Sequence, residues 1–338
     1  PPSTRPVRPS RVGRFVFALL VLLALVMGCG TIYEAVARWR ELRAVTEPGQ
    51  LVDVGGYRLH IVCQGERAPG APAVILDAGV GGWSAHWSTF QRRVAEFARV
   101  CSYDRAGMGW SDAGPQPRDG RRVVAELHAL LAGAGESPPY LLVGASRGGQ
   151  YARLYRDAYP AEVSGLVLVD PEPEEMRSRS AMVRNLASQN PVLYSVLRTL
   201  RGVGFLRLLM RDPTATPTLP CLPSIVGTLP AEERAAYLAV EGQAKCFDSV
   251  LAEEAATNAR EEQLRQAAPL GDLPMIVLVR GVSVADAETE GIWRELQQEL
   301  AGLSTRGTLV QAASSGHEIA RDQPELVIDA IRQLLETP

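Results

Sequence analysis

The stretch Pro139-Tyr-Leu-Leu-Val-Gly144-Ala-Ser146-Arg-Gly148-Gly149 decides the fold of this chain. It predicts a buried strand, then a Gly-x-Ser-x-Gly turn, then a helix over residues 150–159. So sharp a turn strains the serine backbone, and the flanking glycines are needed because the neighbouring strands and the helix leave no room for Cβ atoms. Among 31 glycines the five-residue pattern alone is weak, but the strand before it and the helix after it make it specific. A glycine-rich turn that only packs a helix onto a strand is the alternative.

Ser146 is the candidate nucleophile. The turn is expected to hold its Oγ exposed above the edge of the sheet, and the following helix places the amide N–H of Arg147 where an oxyanion would form. A serine hydroxyl is a poor nucleophile at neutral pH, so the same site needs a general base.

The chain has four histidines, and His317 is the best placed to act as that base. It lies in Ala312-Ala-Ser-Ser-Gly-His317, a loop after the last predicted strand and before a final helix. The chain order Ser, acid, His requires a histidine there. A loop histidine without a role is the alternative. His60, His86 and His128 are interpreted as surface or partly buried polar residues.

From residue 51 onward, short runs rich in Val, Ile and Leu end in Gly or Asp and alternate with helical stretches. This pattern predicts an α/β fold with a mostly parallel sheet covered by helices on both faces. Residues 52–54 and 57–62 predict an antiparallel opening hairpin that turns at Gly55-Gly56. Together the segments give about eight strands. The other predicted strands are residues 74–77, 99–103, 140–143, 165–170, 275–279 and 307–310.

The alternation stops between residues 171 and 273, where the sequence is helical and has no convincing buried strand. An insertion of that length between two core strands is typical of a lid. The predicted organisation is therefore a core in two parts, residues 45–170 and 274–338, interrupted by a helical lid over residues 171–273.

The chain resembles the α/β-hydrolase superfamily, and more narrowly its membrane-anchored bacterial esterase-like members. The resemblance covers residues 51–335 and is carried by the Gly-x-Ser-x-Gly turn, by Tyr103-Asp-Arg-Ala-Gly-Met-Gly-Trp-Ser111-Asp112 and by Ser315-Gly-His317. It implies an eight-stranded sheet, a Ser-acid-His triad, and ester or related acyl chemistry.

The resemblance also implies a second oxyanion donor in the loop after the third strand. That loop reads Leu76-Asp-Ala-Gly79-Val80-Gly-Gly82, with Ala78 where the family usually has His. The amide of Val80 is the chosen donor, because a backbone N–H needs no particular side chain. A simple glycine-rich turn is the alternative.

The acid of the triad has two candidates. The family usually places it a few residues after the glycine that follows the seventh strand, but Gly281 is followed by Val-Ser-Val-Ala-Asp286, which displaces Asp286 from that place. Some members carry the acid at the end of the sixth strand, where Asp170 stands. We favour Asp170, which could instead be a structural acid at the strand end. Either acid would orient His317 and stabilise its protonated form.

The N-terminus is a separate unit. Residues 1–14 are rich in Pro and Arg and are predicted to be a disordered basic tail. Residues 15–33 carry no charge and would span about 28 Å as a helix, close to the thickness of a bilayer core. Residues 15–37 are therefore predicted to be a transmembrane signal anchor. A cleaved signal is an alternative, since Val26-Met27-Gly28-Cys29 faintly resembles a lipoprotein cleavage site. A buried core helix is disfavoured, because it would have one polar face.

The composition excludes some classes of function. The chain is 46% hydrophobic and 22% charged with a formal charge of −3, so no basic surface for nucleic acid is indicated. Dispersed histidines give no metal-ligand spacing, and no cofactor is expected. Two cysteine pairs, Cys63 with Cys101 and Cys221 with Cys246, would suit disulfides in an oxidising compartment, although buried free thiols are the alternative. The catalytic part is therefore expected on the extracytoplasmic side.

The predicted function is a serine hydrolase that cleaves carboxylic esters through an acyl-enzyme intermediate, with a small-molecule acyl substrate for which a lipophilic acyl group is one option. An acyltransferase, lactonase, perhydrolase or aminopeptidase with the same triad is an alternative, and so is a non-catalytic membrane-anchored binding protein. Residues 191–211 add a basic amphipathic segment. It is interpreted as a lid helix packed on the mouth of the site, with contact to anionic lipid as the alternative.

Overall fold

Eight strands form one mixed sheet in the computed structural model, which describes residues 10–209, 219–222 and 225–336. The strands are β1 (Gln50–Asp53), β2 (Arg58–Gln64), β3 (Ala73–Asp77), β4 (Val100–Tyr103), β5 (Tyr140–Ala145), β6 (Val163–Val169), β7 (Met275–Arg280) and β8 (Gly307–Ala312). Their order is β1-β2-β4-β3-β5-β6-β7-β8. The pairs β1–β2 and β2–β4 are antiparallel and the others are parallel, so the predicted hairpin and parallel sheet are confirmed.

Some of the helices cover both faces of this sheet. The described helices are α1 (Arg11–Ala44), α2 (Ser88–Val94), α3 (Gly120–Gly133), α4 (Arg147–Ala158), α5 (Met176–Arg179), α6 (Ala181–Gly202), α7 (Phe205–Leu209), α8 (Ala231–Val240), α9 (Ala244–Ala255), α10 (Thr257–Arg265), α11 (Ala287–Ala301), α12 (Ile319–Asp322) and α13 (Pro324–Leu335). Helices α3, α4 and α11 pack into the core on one face, and α2 and α13 pack into the core on the other.

Side chains along each strand alternate between these two cores. In β5, Leu142 points into the core with α3 and α4, while Leu141 and Val143 point into the core with α2 and α13. Because both faces are covered there, the central strands β3, β5, β6 and β7 are nearly continuous apolar runs without polar alternation. The parallel strands place their carboxyl ends at one edge of the sheet, where the connecting loops of α/β folds form binding sites.

Helices α5 to α10 lie in the described part of the segment between β6 and β7, which is the range predicted for the lid. The segment has its own apolar core, in which Leu222, Tyr237 and Phe247 pack with Trp83 and Met108 of the main fold. Helix α10 instead contacts α3 and α4. The insertion is therefore seated on the main fold along two surfaces.

Helix α1 is long and apolar enough to cross a membrane. Its first residue is Arg11, and the side chain of Ser10 caps it by accepting a hydrogen bond from the Gly13 amide. The prediction of a disordered tail was therefore wrong for residues 11–14. The Ser10 side chain gives an unpaired amide of the first turn a hydrogen-bond acceptor, which starts the helix there. Residues 1–9 lie outside the described part of the chain. Residues 10–29 are all exposed, as expected of a helix surrounded by lipid.

The last turns of α1 pack against the lid, which the sequence did not indicate. Glu34 is buried, and its carboxylate pairs with Arg201 at 3.2 Å and with Arg207 at 2.7 Å. The two backbones also touch, because a Cβ atom at Gly30 would overlap the carbonyl oxygen of Val203. The helix therefore extends past the predicted end at residue 37 as a structural part of the lid.

Replacing Glu34 with Gln is expected to lower the free energy of unfolding by roughly 3 kcal/mol, because Arg201 and Arg207 would lose their shared carboxylate in a mostly buried place. Thermal unfolding of the full chain in detergent measures this effect. Arg40→Gln, at an exposed position of the same helix, is the matched control. Equal melting temperatures for the two variants would contradict the prediction.

Both predicted cysteine pairs are disulfides. Cys63 of β2 lies directly opposite Cys101 of β4 in the antiparallel register, and the two are bonded. Cys221 is bonded to Cys246 of α9, which ties two parts of the lid together. Cys29 is free and exposed on α1.

The described arginines of the 191–211 segment are paired within the protein. Arg198 pairs with Asp248, while Arg201 and Arg207 pair with the acidic residues of α1. Residues 210 and 211 lie outside the described part of the chain. The described arginines are therefore neutralised by carboxylates, which removes most of the attraction to anionic lipid that the sequence suggested.

The apolar side chains of the same segment have two kinds of surroundings. Leu197 and Leu200 pack against the lid core, as expected of a lid helix. Val192, Val196 and Phe205 are exposed. The side chains of residues 208–210 lie outside what the structure describes.

Candidate active site

Ser146 lies at the junction of β5 and α4 with φ of 52° and ψ of −119°. A positive φ at a non-glycine residue is strained, and such strain is typical of functional turns. Gly144 and Gly148 permit the turn, because a Cβ atom at Gly144 would overlap the backbone of Gly148 and one at Gly148 would overlap the carbonyl of Asp77. The predicted strain and the need for both glycines are confirmed.

His317 lies in the loop between β8 and α12, and its Nδ1 is 2.6 Å from Oδ2 of Asp170. Asp170 directly follows β6, which neighbours β5 in the sheet, so it reaches the same edge as Ser146. The Asp170 side chain is fully buried, whereas 36% of the His317 side chain is exposed. Ser146 and His317 line the same cavity.

The main fold holds the Asp170 carboxylate in place. Its Oδ1 accepts hydrogen bonds from the Arg280 amide at 3.1 Å and from the Trp293 indole at 3.0 Å. Its Oδ2 accepts from the Arg280 guanidinium at 2.9 Å in addition to His317. This packing fixes the carboxylate, and through it one nitrogen of the imidazole.

The charges of the pair shift both pKa values. Burial raises the pKa of Asp170, but the hydrogen bond from His317 and the charge of Arg280 outweigh it and hold that pKa below its usual range. Burial lowers the pKa of His317, but the hydrogen bond and charge of Asp170 outweigh it and raise that pKa above 6.5. A carboxylate at Nδ1 favours the proton on Nδ1 and leaves Nε2 free to accept one.

Asp286, the other candidate acid, has a different role in the structure. It caps the N-terminus of α11, where its carboxylate accepts a hydrogen bond from the Thr289 amide at 2.9 Å. It is exposed. The structure therefore brings Asp170 to His317 and leaves Asp286 at a helix end.

The loop after β3 runs against the nucleophile. A Cβ atom at Gly79 would lie 3.2 Å from the Cβ of Ser146, a tight contact, so a side chain there would press on the nucleophile. Arg105 fixes this loop by donating to the carbonyls of Ala78 at 2.7 Å and Gly79 at 2.6 Å. Val80, whose amide was the predicted oxyanion donor, directly follows and lines the cavity.

The cavity between the sheet edge and the lid has a volume of about 700 Å³. Ser146, Arg147, Val80 and His317 all line it. Most of its remaining wall is apolar and comes from both the main fold and the lid. That wall includes Trp87, Phe90, Tyr194, Leu222, Ile225 and Ile319.

The described residues contain one group of side chains close enough to hold a metal ion, which is Cys63, Cys101 and Glu136. The two sulfur atoms of this group are bonded to each other. The group therefore has no thiolate to offer a metal.

Comparison with known proteins places the chain in a family. Its residues 68–330 match the model of the Alpha/beta hydrolase family. The chain belongs to the alpha/beta hydrolase family. This hydrolase is also similar to the uncharacterized protein YqjL of Bacillus subtilis, with 23% identity over 268 residues that cover 79% of this chain and 85% of YqjL.

Solved structures share the fold of this hydrolase. A thermophilic esterase from Thermogutta terrifontis is 20% identical with a TM-score of 0.61, over 86% of this chain and 98% of the esterase. An epoxide hydrolase from Bacillus megaterium is 18% identical with a TM-score of 0.63, over 85% of this chain and 100% of that structure. The fold is thus shared by proteins with different reactions, and only the site residues can distinguish them.

The three histidines that were interpreted as surface or partly buried polar residues have different surroundings in the structure. For His60 that interpretation was wrong, because its ring is fully buried with Nδ1 2.9 Å from the Asp104 carboxylate, which pairs with it inside the core. His128 is half-buried beside Glu162. His86 lines the cavity.

Sequence reasoning missed several residues that hold this site. Arg105 lies in the stretch that carried the resemblance, and its place after β4, next to β3 in the sheet, was a usable signal. Arg280 and Trp293 bind Asp170 from β7 and α11, and no local pattern marks them.

Proposed function

We propose that this hydrolase cleaves carboxylic esters through an acyl-enzyme formed on Ser146. One observation carries the proposal. The strained Ser146 stands at the start of α4 in a cavity that His317 also lines, and His317 contacts the buried carboxylate of Asp170 at 2.6 Å. Nucleophile, base and orienting acid are the parts that acyl transfer to serine requires.

The mechanism proceeds in two halves. Nε2 of His317 takes the proton of Ser146 while Oγ attacks the acyl carbon, and the carbonyl electron pair moves onto its oxygen. The tetrahedral intermediate collapses, the C–O bond to the alcohol breaks, and the alcohol leaves with the proton from His317. A water molecule activated by His317 then attacks the acyl-enzyme, which releases the acid and restores Ser146.

Asp170 supports both halves without taking a proton. Its lowered pKa keeps it a carboxylate, so it holds Nδ1–H of His317 and stabilises the imidazolium that forms when Ser146 is deprotonated. Its bonds to Arg280 and Trp293 keep it from turning away.

The amides of Arg147 and Val80 are the proposed oxyanion donors. Arg147 is the first residue of α4, where the amides have no partner within the helix and the helix dipole favours negative charge. Fixed amides of this kind stabilise the charge that develops on the acyl oxygen, and loss of one donor typically costs about 10²- to 10³-fold in kcat.

The proposed substrate is a small molecule with a lipophilic acyl group. The apolar wall of the cavity would take a hydrocarbon chain out of water, which is favourable by about 25 cal/mol per Å². Each step of the proposed hydrolysis uses the side chains of the triad, the two backbone amides and water.

The proposed location is the outer side of a membrane to which α1 anchors the protein. Helix α1 is long and apolar enough to span a bilayer, and two disulfides are typical of proteins outside the cytoplasm.

A panel of p-nitrophenyl esters with short, medium and long acyl chains tests the function on the full chain in detergent. We expect hydrolysis throughout, with the highest kcat/KM for chains longer than acetate because the cavity wall is apolar. An epoxide such as styrene oxide should remain intact, because opening it would need a carboxylate nucleophile where Ser146 stands. Epoxide opening without ester hydrolysis would overturn the proposal.

The pH dependence of kcat/KM should show its acid limb above pH 6.5. His317 must be neutral to accept the Ser146 proton, and Asp170 raises its pKa, so activity is lost as the pH falls through that raised value. Initial rates between about pH 5 and 9 measure this limb. An acid limb below pH 6.5 would show that another group controls the reaction.

A further inference from the structure

Glu253 of α9 is a buried lid carboxylate that the mechanism above does not use. Its side chain is 0% exposed, and two arginines of the main fold face it. Its Oε1 accepts a hydrogen bond from Nε of Arg105 at 3.1 Å, and its Oε2 lies 3.8 Å from Nη1 of Arg147. One lid carboxylate therefore stands between two buried guanidinium groups.

Arg105 holds the peptide that carries one of the two proposed oxyanion donors, the amide of Val80. Its Nη2 binds the carbonyl oxygen of Gly79 at 2.6 Å, and that carbonyl shares one planar trans peptide with the amide of Val80. In a trans peptide the C=O and N–H bonds point in opposite directions, so holding the carbonyl sets the direction of the Val80 N–H. The Arg105 side chain is 1% exposed, which leaves it little room to move.

Arg147 carries the second proposed donor on its own backbone. Its guanidinium donates hydrogen bonds to Glu254 at 2.6 Å and to Glu172 at 3.3 Å, and the Glu253 carboxylate faces it at 3.8 Å, beyond hydrogen-bond distance. Because the Arg147 side chain is 4% exposed, these contacts tie the start of α4 to the lid.

We propose that Glu253 is a positioning residue that holds both oxyanion donors in place, so that the oxyanion hole is complete when α9 is seated on the main fold. The proposal deepens the proposed ester hydrolysis and rests on it. Arg105 also pairs with the buried carboxylate of Asp77 at 2.7 Å, so without Glu253 it keeps one carboxylate and loses the one that stands between it and Arg147. The like charges of Arg105 and Arg147 would then repel each other in a place of low dielectric. Arg105 would then shift, and the Gly79–Val80 peptide would shift with it.

Loss of the Glu253 charge should weaken stabilisation of the transition state and leave substrate binding unchanged. The oxyanion exists only after Ser146 attacks, so misplaced donors lower kcat and leave KM nearly unchanged. Displacements of about 1 Å in such sites cost on the order of 10²-fold. Glu253→Gln keeps the shape and removes the charge, and we expect kcat to fall by about 10- to 100-fold.

The experiment compares two ketones of the same chain length on the full protein in detergent. A trifluoromethyl ketone adds to Ser146: Oγ bonds to the carbonyl carbon, the carbonyl electron pair moves to oxygen, and the proton goes to His317. Its inhibition constant reports the oxyanion hole. The plain ketone reports binding alone. In Glu253→Gln the inhibition constant of the trifluoromethyl ketone should rise by the same factor by which kcat falls. The inhibition constant of the plain ketone should not change.

Glu126→Gln is the matched control. Glu126 forms a comparably buried pair with Arg118 at 2.8 Å, with side chains 5% and 1% exposed, and binds Tyr57 instead of the site. The Glu126→Gln protein should be less stable, with kcat and the inhibition constants of both ketones unchanged. If Glu253→Gln does not fold, Arg105→Lys replaces it, because lysine keeps the charge beside Glu253 but lacks the planar fork that binds two carbonyls.

Two results would overturn the proposal. One is unchanged kcat and trifluoromethyl ketone inhibition in a folded Glu253→Gln or Arg105→Lys protein. The other is an equal loss in Glu126→Gln, which would show a general effect of stability. Failure of the ester mechanism is distinguishable, because the unaltered protein would then neither cleave esters nor bind the trifluoromethyl ketone more tightly than the plain ketone.

Discussion

Replacing Ser146 with Ala is expected to lower kcat for ester hydrolysis by a factor on the order of 10⁴ to 10⁶ and to leave the fold intact. Alanine has no oxygen to form the acyl bond, and it adds no atom to the crowded turn. His317→Ala should cost a similar factor, because the Ser146 hydroxyl then keeps its proton. Steady-state hydrolysis of the best p-nitrophenyl ester, with circular dichroism as a check on folding, measures both.

Two controls separate these losses from general damage. Ser88→Ala removes a hydroxyl that lines the same cavity, and His128→Ala removes a half-buried imidazole of α3 that pairs with Glu162. Both should keep turnover close to that of the unaltered protein. Near-normal turnover in a folded Ser146→Ala protein would exclude Ser146 as the nucleophile.

Asp170→Asn is expected to lower kcat by a factor approaching 10⁴. An amide cannot hold Nδ1–H of His317 as a carboxylate does, and its NH₂ group favours the tautomer with Nδ1 unprotonated. The proton would then sit on Nε2, where it blocks acceptance of the Ser146 proton. The variant also loses the ion pair with Arg280, so its thermal unfolding must be recorded beside its kinetics.

Asp286→Asn is the matched comparison for that variant. Asparagine caps helices about as well as aspartate, so α11 should keep its N-terminus and turnover should be nearly unchanged. A greater loss of turnover in Asp286→Asn than in Asp170→Asn would reverse the proposed role of the two acids.

The parts of the site that could be predicted are those with a local pattern. The turn at Ser146 needs glycines at fixed positions, and His317 follows the last strand, so both are apparent in the sequence. The acid was harder, because two aspartates follow two neighbouring strands. Asp286 nevertheless carries a signal that favours the other candidate, since Asp286-Ala-Glu-Thr289 before a helix is typical of an N-cap.

The contacts that hold the site together could not be predicted, because they join distant parts of the chain. Arg105 and Glu253 are 148 positions apart, and Arg207 and Glu34 are 173 apart. Charged residues in a lid helix usually face solvent, and no spacing distinguishes Glu253 from its neighbours. The same reason explains why the burial of Glu34 against the lid was not predicted.

Labelling with a fluorophosphonate tests the central claim most directly. The Oγ of an activated serine attacks phosphorus and displaces fluoride, so only a working nucleophile is modified. We expect mass spectrometry to find one adduct on the peptide that contains Ser146, no adduct in Ser146→Ala, and greatly slowed labelling in His317→Ala. Equal labelling of Ser146→Ala, or an unlabelled Ser146 in protein that cleaves esters, would contradict the account.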